Sequence, residues 1–122
     1  MLTATEVGRQ MEIEVRSQSQ VKIIKLRGRL SLGESVDRFR ETIDDLLQSG
    51  ETSFLLDLGE VSMIDSSGLG LLARFLTTAK QRGGVLKLLS PSKFALQTLK
   101  MIGLLNLFEV FDDQEQALAS FR

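Results

Sequence analysis

The 122-residue chain is 43% hydrophobic and 25% charged, which is the size and composition of one compact domain. Its 15 Lys and Arg residues nearly balance 16 Asp and Glu residues, and the net charge of -1 argues against nucleic acid as a partner. Histidine and cysteine are absent, which excludes disulfides, zinc sites built from those residues, and catalytic Ser-His or Cys-His pairs.

Residues 1–10 form a predicted polar leader, and residues 11–122 form the domain. The leader lacks the apolar segment of a signal peptide. Nowhere do apolar residues continue for the roughly 20 positions that a membrane span requires. We therefore expect a cytoplasmic protein with no membrane span.

The domain begins with a predicted β-hairpin and a helix. Apolar and charged residues alternate over 11–15 and again over 21–25, on either side of a turn at 17–20. Apolar residues then recur at steps of three and four over 32–47, and Gly50 follows as the expected end of an amphipathic helix.

The rest of the chain alternates strands with helices. Apolar runs at 54–58 and 85–89 are too short for helices and too continuous for exposed edges, so both predict buried strands. The other predicted elements are a helix over 66–82 ending at Gly83-Gly84, a helix over 94–102 stopped by Gly103, a strand at 108–111, and a final helix capped by Asp112-Asp113. This order predicts an α/β fold with a mixed, largely parallel sheet of four to five strands and about four helices.

A short polar segment lies where the first buried strand gives way to a helix. We call it the serine turn, and its residues are Asp65, Ser66, Ser67, Gly68, Leu69 and Gly70. Free backbone N–H groups and the positive end of the helix dipole meet there, so either serine could carry a phosphate. Two glycines so early in a helix cost about 1 kcal/mol each relative to alanine, which suggests close approach of another chain. In the plainer interpretation, Asp65 or Ser66 is only a helix cap and the glycines ease packing.

Two apolar side chains after the serine turn also have two interpretations. A helical wheel places Leu71 and Phe75 well away from the core stripe that begins at Leu69. They either pack against a neighbouring helix or form a partner-binding patch beside Ser66. An exposed Phe75 would favour the patch.

Several segments occur together in one order. They are the strand at 54–58, the approach Val61-Ser62-Met63-Ile64, the serine turn, the glycine pair at 83–84, and Met101-Ile102-Gly103-Leu104. This run resembles the anti-sigma factor antagonists of the STAS domain family. The resemblance covers 11–121, is strongest over 54–107, and implies a STAS-type fold.

The resemblance implies a switch on a serine. In such antagonists a cognate anti-sigma factor with kinase activity phosphorylates the first serine of the turn, and the unphosphorylated form binds that partner and frees the sigma factor. Carried over, Ser66 is the acceptor and Ser67 the second choice, with the serine turn, Leu71 and Phe75 as partner-binding residues. The family also implies a phosphatase, and we expect no cofactor, metal or small-molecule substrate.

The residues around the turn argue that this chain is a substrate and not an enzyme. Serine needs a base to act as a nucleophile, and Asp65 is the only nearby candidate, so the base and the ATP should come from the partner. A serine hydrolase places glycine two residues before its serine, whereas Ile64 and Asp65 occupy those positions here.

One position departs from the family pattern. Many members have Gly-x-Leu-Asp where this chain has Gly28-Arg29-Leu30-Ser31. We expect Ser31 to cap the following helix. The missing carboxylate leaves the class of partner open.

Three other classes of protein are alternatives to the serine switch. A STAS scaffold, or a subunit of a signalling or lipid-transport assembly, would share the fold and the turn. A phospho-accepting receiver domain needs an acidic pair after its first strand and a lysine after a later one, but Lys87 lies inside its strand. A metal- or nucleotide-dependent enzyme could use the carboxylates of Asp57, Glu60 and Asp65. The alternation of the strand and the following turn should point these three side chains in different directions, which argues against such a site.

Overall fold

Six strands, four α-helices and one short 3-10 helix make up the described part of the chain. The structure is a computed structural model that describes the backbone of residues 3–7 and all of residues 11–122. In chain order the elements are β1 (Thr3–Val7), β2 (Met11–Gln18), β3 (Val21–Leu30), α1 (Glu34–Gln48), β4 (Ser53–Ile64), α2 (Ser66–Gln81), β5 (Val85–Leu89), α3 (Lys93–Met101), the 3-10 helix (Leu105–Leu107), β6 (Val110–Phe111) and α4 (Gln114–Ala119).

The strands form one mixed sheet in the order β1-β2-β3-β4-β5-β6. The pairs β1·β2 and β2·β3 are antiparallel, and the pairs β3·β4, β4·β5 and β5·β6 are parallel. The α/β fold with a mixed, largely parallel sheet is therefore confirmed, with six strands where four to five were predicted. The three parallel pairs arise because β3, β4 and β5 are each followed by a helix, which returns the chain to the end of the sheet where these strands begin.

The first strand lies within the segment predicted to be a leader. β1 pairs with β2, with Thr3 opposite Arg16 and Val7 opposite Glu12. Residues 3–7 thus form an edge strand and not a leader, whereas residues 1–2 and 8–10 lie outside the described residues. An edge strand pairs on one side only and can be short and polar, which is why no apolar run marked it.

The helices bury the two faces of the sheet unequally. On the larger face Phe75 of α2 makes edge-to-face contacts with Phe39 of α1 and Phe54 of β4, at centroid distances of 6.3 and 5.0 Å. On the opposite face α4 covers a smaller cluster through Ala117 and Leu118. The larger core therefore sets how α1 and α2 lie against each other.

The ends of the helices follow local signals except at the start of α1. Gly50 and Gly83 follow the last turns of α1 and α2 with φ values of +84° and +76°, as their predicted roles require. The N-cap of α1 is Gly33, so the prediction that Ser31 caps this helix was wrong. The backbone of Ser31 instead exchanges two hydrogen bonds of 2.9 Å with the Ser35 hydroxyl.

None of the helices in 11–122 is long and apolar enough to cross a membrane.

Candidate functional site

The serine turn joins the C-terminal end of β4, an inner strand of the sheet, to the start of α2. β4 continues past the predicted end at residue 58 as far as Ile64, which lies opposite Leu30 of β3. Because β3 and β4 are parallel, their carboxyl ends lie at the same end of the sheet, where loops commonly bind partners. The turn therefore emerges beside the loop that connects β3 to α1.

Asp65 is held by backbone donors from both sides. One carboxylate oxygen, Oδ1, accepts a hydrogen bond from the Gly68 N–H at 3.0 Å, and Oδ2 accepts one from the Leu32 N–H at 2.8 Å. These bonds, that of Leu32 first, lower the pKa of Asp65 below its ordinary value of 3.8 because they favour the charged carboxylate. The helix-cap interpretation of Asp65 is thus confirmed, and the same side chain ties the β3–α1 loop to α2.

This arrangement makes Asp65 a poor general base. Both of its oxygens already accept hydrogen bonds, and a lowered pKa reduces its tendency to take a proton. Within 11–122, neither Ser66 nor Ser67 has a hydrogen-bonded partner for its hydroxyl. The turn therefore offers hydroxyl groups without the means to activate them.

The two serines differ in exposure. Ser66, the first residue of α2, is exposed, whereas Ser67 is half-buried and faces a depression between α1 and α2. A macromolecule that approaches the turn from solvent reaches the Ser66 hydroxyl more easily.

The two glycines of the turn have different surroundings. A Cβ at Gly68 would lie 2.8 Å from the Leu30 carbonyl oxygen and 2.9 Å from the Ile64 Cγ2, which is closer than real Cβ contacts. A Cβ at Gly70 would meet no described atom within 4 Å. Gly68 is thus explained by packing within the domain, whereas nothing in the fold requires glycine at position 70.

Leu71 and Phe75 belong to the core. Their exposed fractions are 6% and 1%, and Phe75 lies between Phe39 and Phe54. The interpretation as packing against a neighbouring helix is confirmed, and the prediction of a partner-binding patch on these two residues was wrong. The helical wheel identified one buried face of α2, but α1 covers a second one.

A groove that sequence reasoning missed runs between α1 and α2. Two adjoining depressions of about 300 and 180 Å³ share Arg40, Leu71 and Arg74. The larger one reaches Ser67 and Gly70. Arg74 follows Ser67 by seven residues, which is close to two helical turns, so this spacing could have placed both on one face. The groove therefore begins at the serine turn.

Comparison with known proteins identifies the fold family. The sequence profile of the STAS domain matches residues 12–117. The chain belongs to the STAS domain family. An anti-sigma F factor antagonist from Paenibacillus polymyxa is 28% identical over 109 residues, which cover 88% of this chain and 92% of that protein. The resemblance to anti-sigma factor antagonists is thereby confirmed.

Solved structures share the architecture of this STAS domain. The anti-sigma factor antagonist SpoIIAA in its unphosphorylated form superposes with a TM-score of 0.78 at 23% identity, over 90% of this chain and 96% of that one. A sulfate transporter family protein from Wolinella succinogenes superposes with a TM-score of 0.72 at 26% identity, over 86% of this chain and 87% of that one. The fold thus occurs in proteins of more than one function.

The carboxylates considered for an enzyme have separate partners in this STAS domain. Asp57 accepts a hydrogen bond from the Gly59 N–H at 2.9 Å. Glu60 pairs with Lys25 and Arg27, which lower its pKa. Over residues 11–122 no three acidic side chains lie close enough together to hold a metal ion. The residues that converge near the turn are Asp65 and the two serines.

Proposed function

We propose that this STAS domain is an anti-sigma factor antagonist whose acceptor is Ser66. In its unphosphorylated form it binds an anti-sigma factor with serine kinase activity in the cytoplasm, and phosphorylation of Ser66 ends that interaction. A phosphatase supplied by another protein restores the serine. The observation that carries the proposal is the exposed Ser66 hydroxyl beside an Asp65 carboxylate whose two oxygens are already hydrogen-bonded.

The local chemistry supports a role as substrate. Transfer of the γ-phosphoryl group of ATP to Ser66 forms a new O–P bond, breaks the bond to ADP and releases the hydroxyl proton. Asp65 is poorly suited to accept that proton, so the kinase must supply the base together with the nucleotide. The same absence of an activating base argues against hydrolysis by this chain.

The fold should tolerate a phosphate on Ser66. The phosphate brings a charge of about -1.5 to -2 to the first residue of α2, where free N–H groups and the helix dipole stabilise an anion by about 0.3 to 1 kcal/mol. The negative charge of Asp65 opposes part of this gain. Because Ser66 is exposed, water continues to solvate the phosphate, and we expect the thermal stability to change little.

Partner binding should not tolerate the phosphate. A bound partner would cover Ser66 and strip water from it, and an unpaired buried ion costs several kcal/mol. Each 1.4 kcal/mol is about tenfold in affinity, so the complex should weaken by orders of magnitude. SpoIIAA, a neighbour in fold, has been solved in both an unphosphorylated and a phosphorylated form, in accord with such a cycle.

Variants of the two serines test the proposal. Kinase-type anti-sigma factors encoded in the same genome are incubated with the protein and ATP, and any phosphate is located by mass spectrometry. Ser66→Ala should bind the partner without taking up phosphate, and Ser66→Asp should fail to bind. Ser67→Ala, the matched control, should still be phosphorylated. Undiminished phosphorylation of Ser66→Ala would contradict the assignment.

A second candidate is a STAS scaffold or a subunit of a signalling or transport assembly. The likeness to the sulfate transporter family protein, at 26% identity, favours it because that neighbour has another function. Under this alternative no anti-sigma factor phosphorylates Ser66, and a partner that co-purifies with the wild type should bind Ser66→Asp equally well. The proposed switch predicts the opposite on both counts.

A further inference from the structure

The groove between α1 and α2 carries the strongest feature that the proposed switch does not use. We call it the α1–α2 groove; Ser67, Gly70 and Arg74 line it on α2, and Asp37 and Arg40 line it on α1. Its depression beside the serine turn has a volume of about 300 Å³, which is enough for one or two side chains. A partner that contacts Ser66 would therefore reach the groove as well.

The two arginines that line the depression beside the serine turn, Arg40 and Arg74, are paired differently. Arg40 forms an ion pair of 3.0 Å with Asp37 on its own helix. Arg74 is exposed and has no carboxylate within ion-pair distance among residues 11–122. Beside the serine turn, the groove thus presents one unpaired guanidinium and one that is partly neutralised.

Gly70 leaves open space on the face of α2 that also carries Ser67 and Arg74. Ser67, Gly70 and Arg74 follow one another at steps of three and four residues, so they share one face of α2. Ser67 and Arg74 line the same depression on either side of Gly70, and no atom of the Arg74 side chain lies within 4 Å of the position that a Gly70 Cβ would take. Because a Cβ at Gly70 would contact nothing within the described residues, another chain can approach the backbone there.

We propose that the α1–α2 groove receives an acidic segment of the protein partner, with one carboxylate bound by Arg74 and shared with Arg40. Charge complementarity selects this occupant, because a guanidinium binds a carboxylate through two parallel N–H···O bonds. The inference rests on the proposed function, since it assigns a second docking point to the same partner. Asp37 competes with that carboxylate for Arg40.

Three charge variants test the groove. The dissociation constant for the kinase-type anti-sigma factor that phosphorylates Ser66 is measured by calorimetry without ATP. Arg74→Glu should weaken binding about tenfold or more, because it replaces an attraction with a repulsion. Asp37→Asn should strengthen binding, because it releases Arg40 for the incoming carboxylate. Lys80→Glu, on the same helix but outside the groove, should leave the affinity unchanged.

The outcomes separate the groove from the switch. Circular dichroism first verifies that each variant is folded. Opposite effects of Arg74→Glu and Asp37→Asn support the inference, because structural damage would not strengthen binding. If the wild type binds and both variants bind with its affinity, the groove assignment fails while the switch on Ser66 stands. If the wild type binds no anti-sigma factor, the proposed function fails and the groove assignment fails with it.

Discussion

The two glycines of the serine turn should respond to alanine with opposite signs. Gly68 and Gly70 lie two residues apart near the start of α2, and alanine favours a helix over glycine at both. At Gly68 the added methyl would lie 2.8 Å from the Leu30 carbonyl oxygen and 2.9 Å from the Ile64 Cγ2. At Gly70 the methyl would enter open space among the described residues. Only the first substitution meets a steric obstacle.

The size of each effect follows from these contacts. Extra methyl groups in a packed site cost about 1 to 3 kcal/mol, and a backbone carbonyl cannot rotate away, so Gly68→Ala belongs in the upper half of that range. The helix preference for alanine returns about 1 kcal/mol, which leaves a net loss of about 1 to 2 kcal/mol. Gly70→Ala should gain about 0.5 to 1 kcal/mol. The variants should therefore differ by about 2 kcal/mol in the free energy of unfolding.

Urea unfolding at 25 °C, followed by circular dichroism, measures both free energies. The urea midpoint should fall for Gly68→Ala and rise for Gly70→Ala, with similar m-values for all three proteins. In thermal unfolding, about 3 to 5 °C accompanies each kcal/mol in a domain of this size. If Gly68→Ala were as stable as the wild type, the close approach of Leu30 and Ile64 would be refuted as the reason for glycine.

Three further predictions concern the turn and the opposite face of the sheet. Asp65→Asn should cost about 1 to 3 kcal/mol near pH 7, because its amide nitrogen faces the N–H of Leu32 or of residue 68. Since folding lowers the pKa of Asp65, its contribution is present above the unfolded pKa and is lost as the pH falls through the folded pKa. The difference between variant and wild type should therefore shrink in urea titrations as the pH falls below the unfolded pKa of the aspartate and then through the lower folded pKa. Lys87→Ala removes hydrogen bonds of 2.9 and 3.1 Å to Ser120, so it should destabilise the fold by about 2 to 3 kcal/mol and speed amide exchange in α4. Lys87→Met should lower the free energy of unfolding by less, because it keeps the packing of the side chain. Gly70→Ala should bind the anti-sigma factor more weakly despite its greater stability, and equal affinity in calorimetry would remove this glycine from the interface.

Local signals were sufficient to predict the serine turn. An apolar strand, an aspartate with a helix-capping side chain and a following helix are all encoded within a few residues, and the N-cap is Asp65, one of the two predicted candidates. Gly50 and Gly83 end their helices for an equally local reason, since both adopt a positive φ. The helix start at Asp65 and the helix ends at Gly50 and Gly83 were therefore predicted correctly from neighbouring residues, whereas the start of α1 was not.

The sequence did not decide features that depend on distant segments of the chain. Leu71 and Phe75 are buried because α1 lies against α2, and a helical wheel contains no information on which helix is adjacent. Glycine is needed at position 68 because the backbone of Leu30, 38 positions earlier in the chain, leaves no room for a Cβ there. Ser31 does not cap α1 because Leu32 and Gly33 separate it from the first helical residue. The burial of Leu71 and Phe75 and the need for glycine at position 68 depend on tertiary packing, whereas the error at Ser31 concerns the local loop before α1.

The central claim is that a phosphate on Ser66 controls partner binding without unfolding the domain. Its most direct test compares the fully phosphorylated and unphosphorylated proteins in calorimetric titrations with the same anti-sigma factor, and records their thermal unfolding. We predict an affinity lower by about a hundredfold or more for the phosphorylated form, from the cost of burying an unpaired charge, with nearly equal melting temperatures. Equal affinities of the two forms would contradict the account.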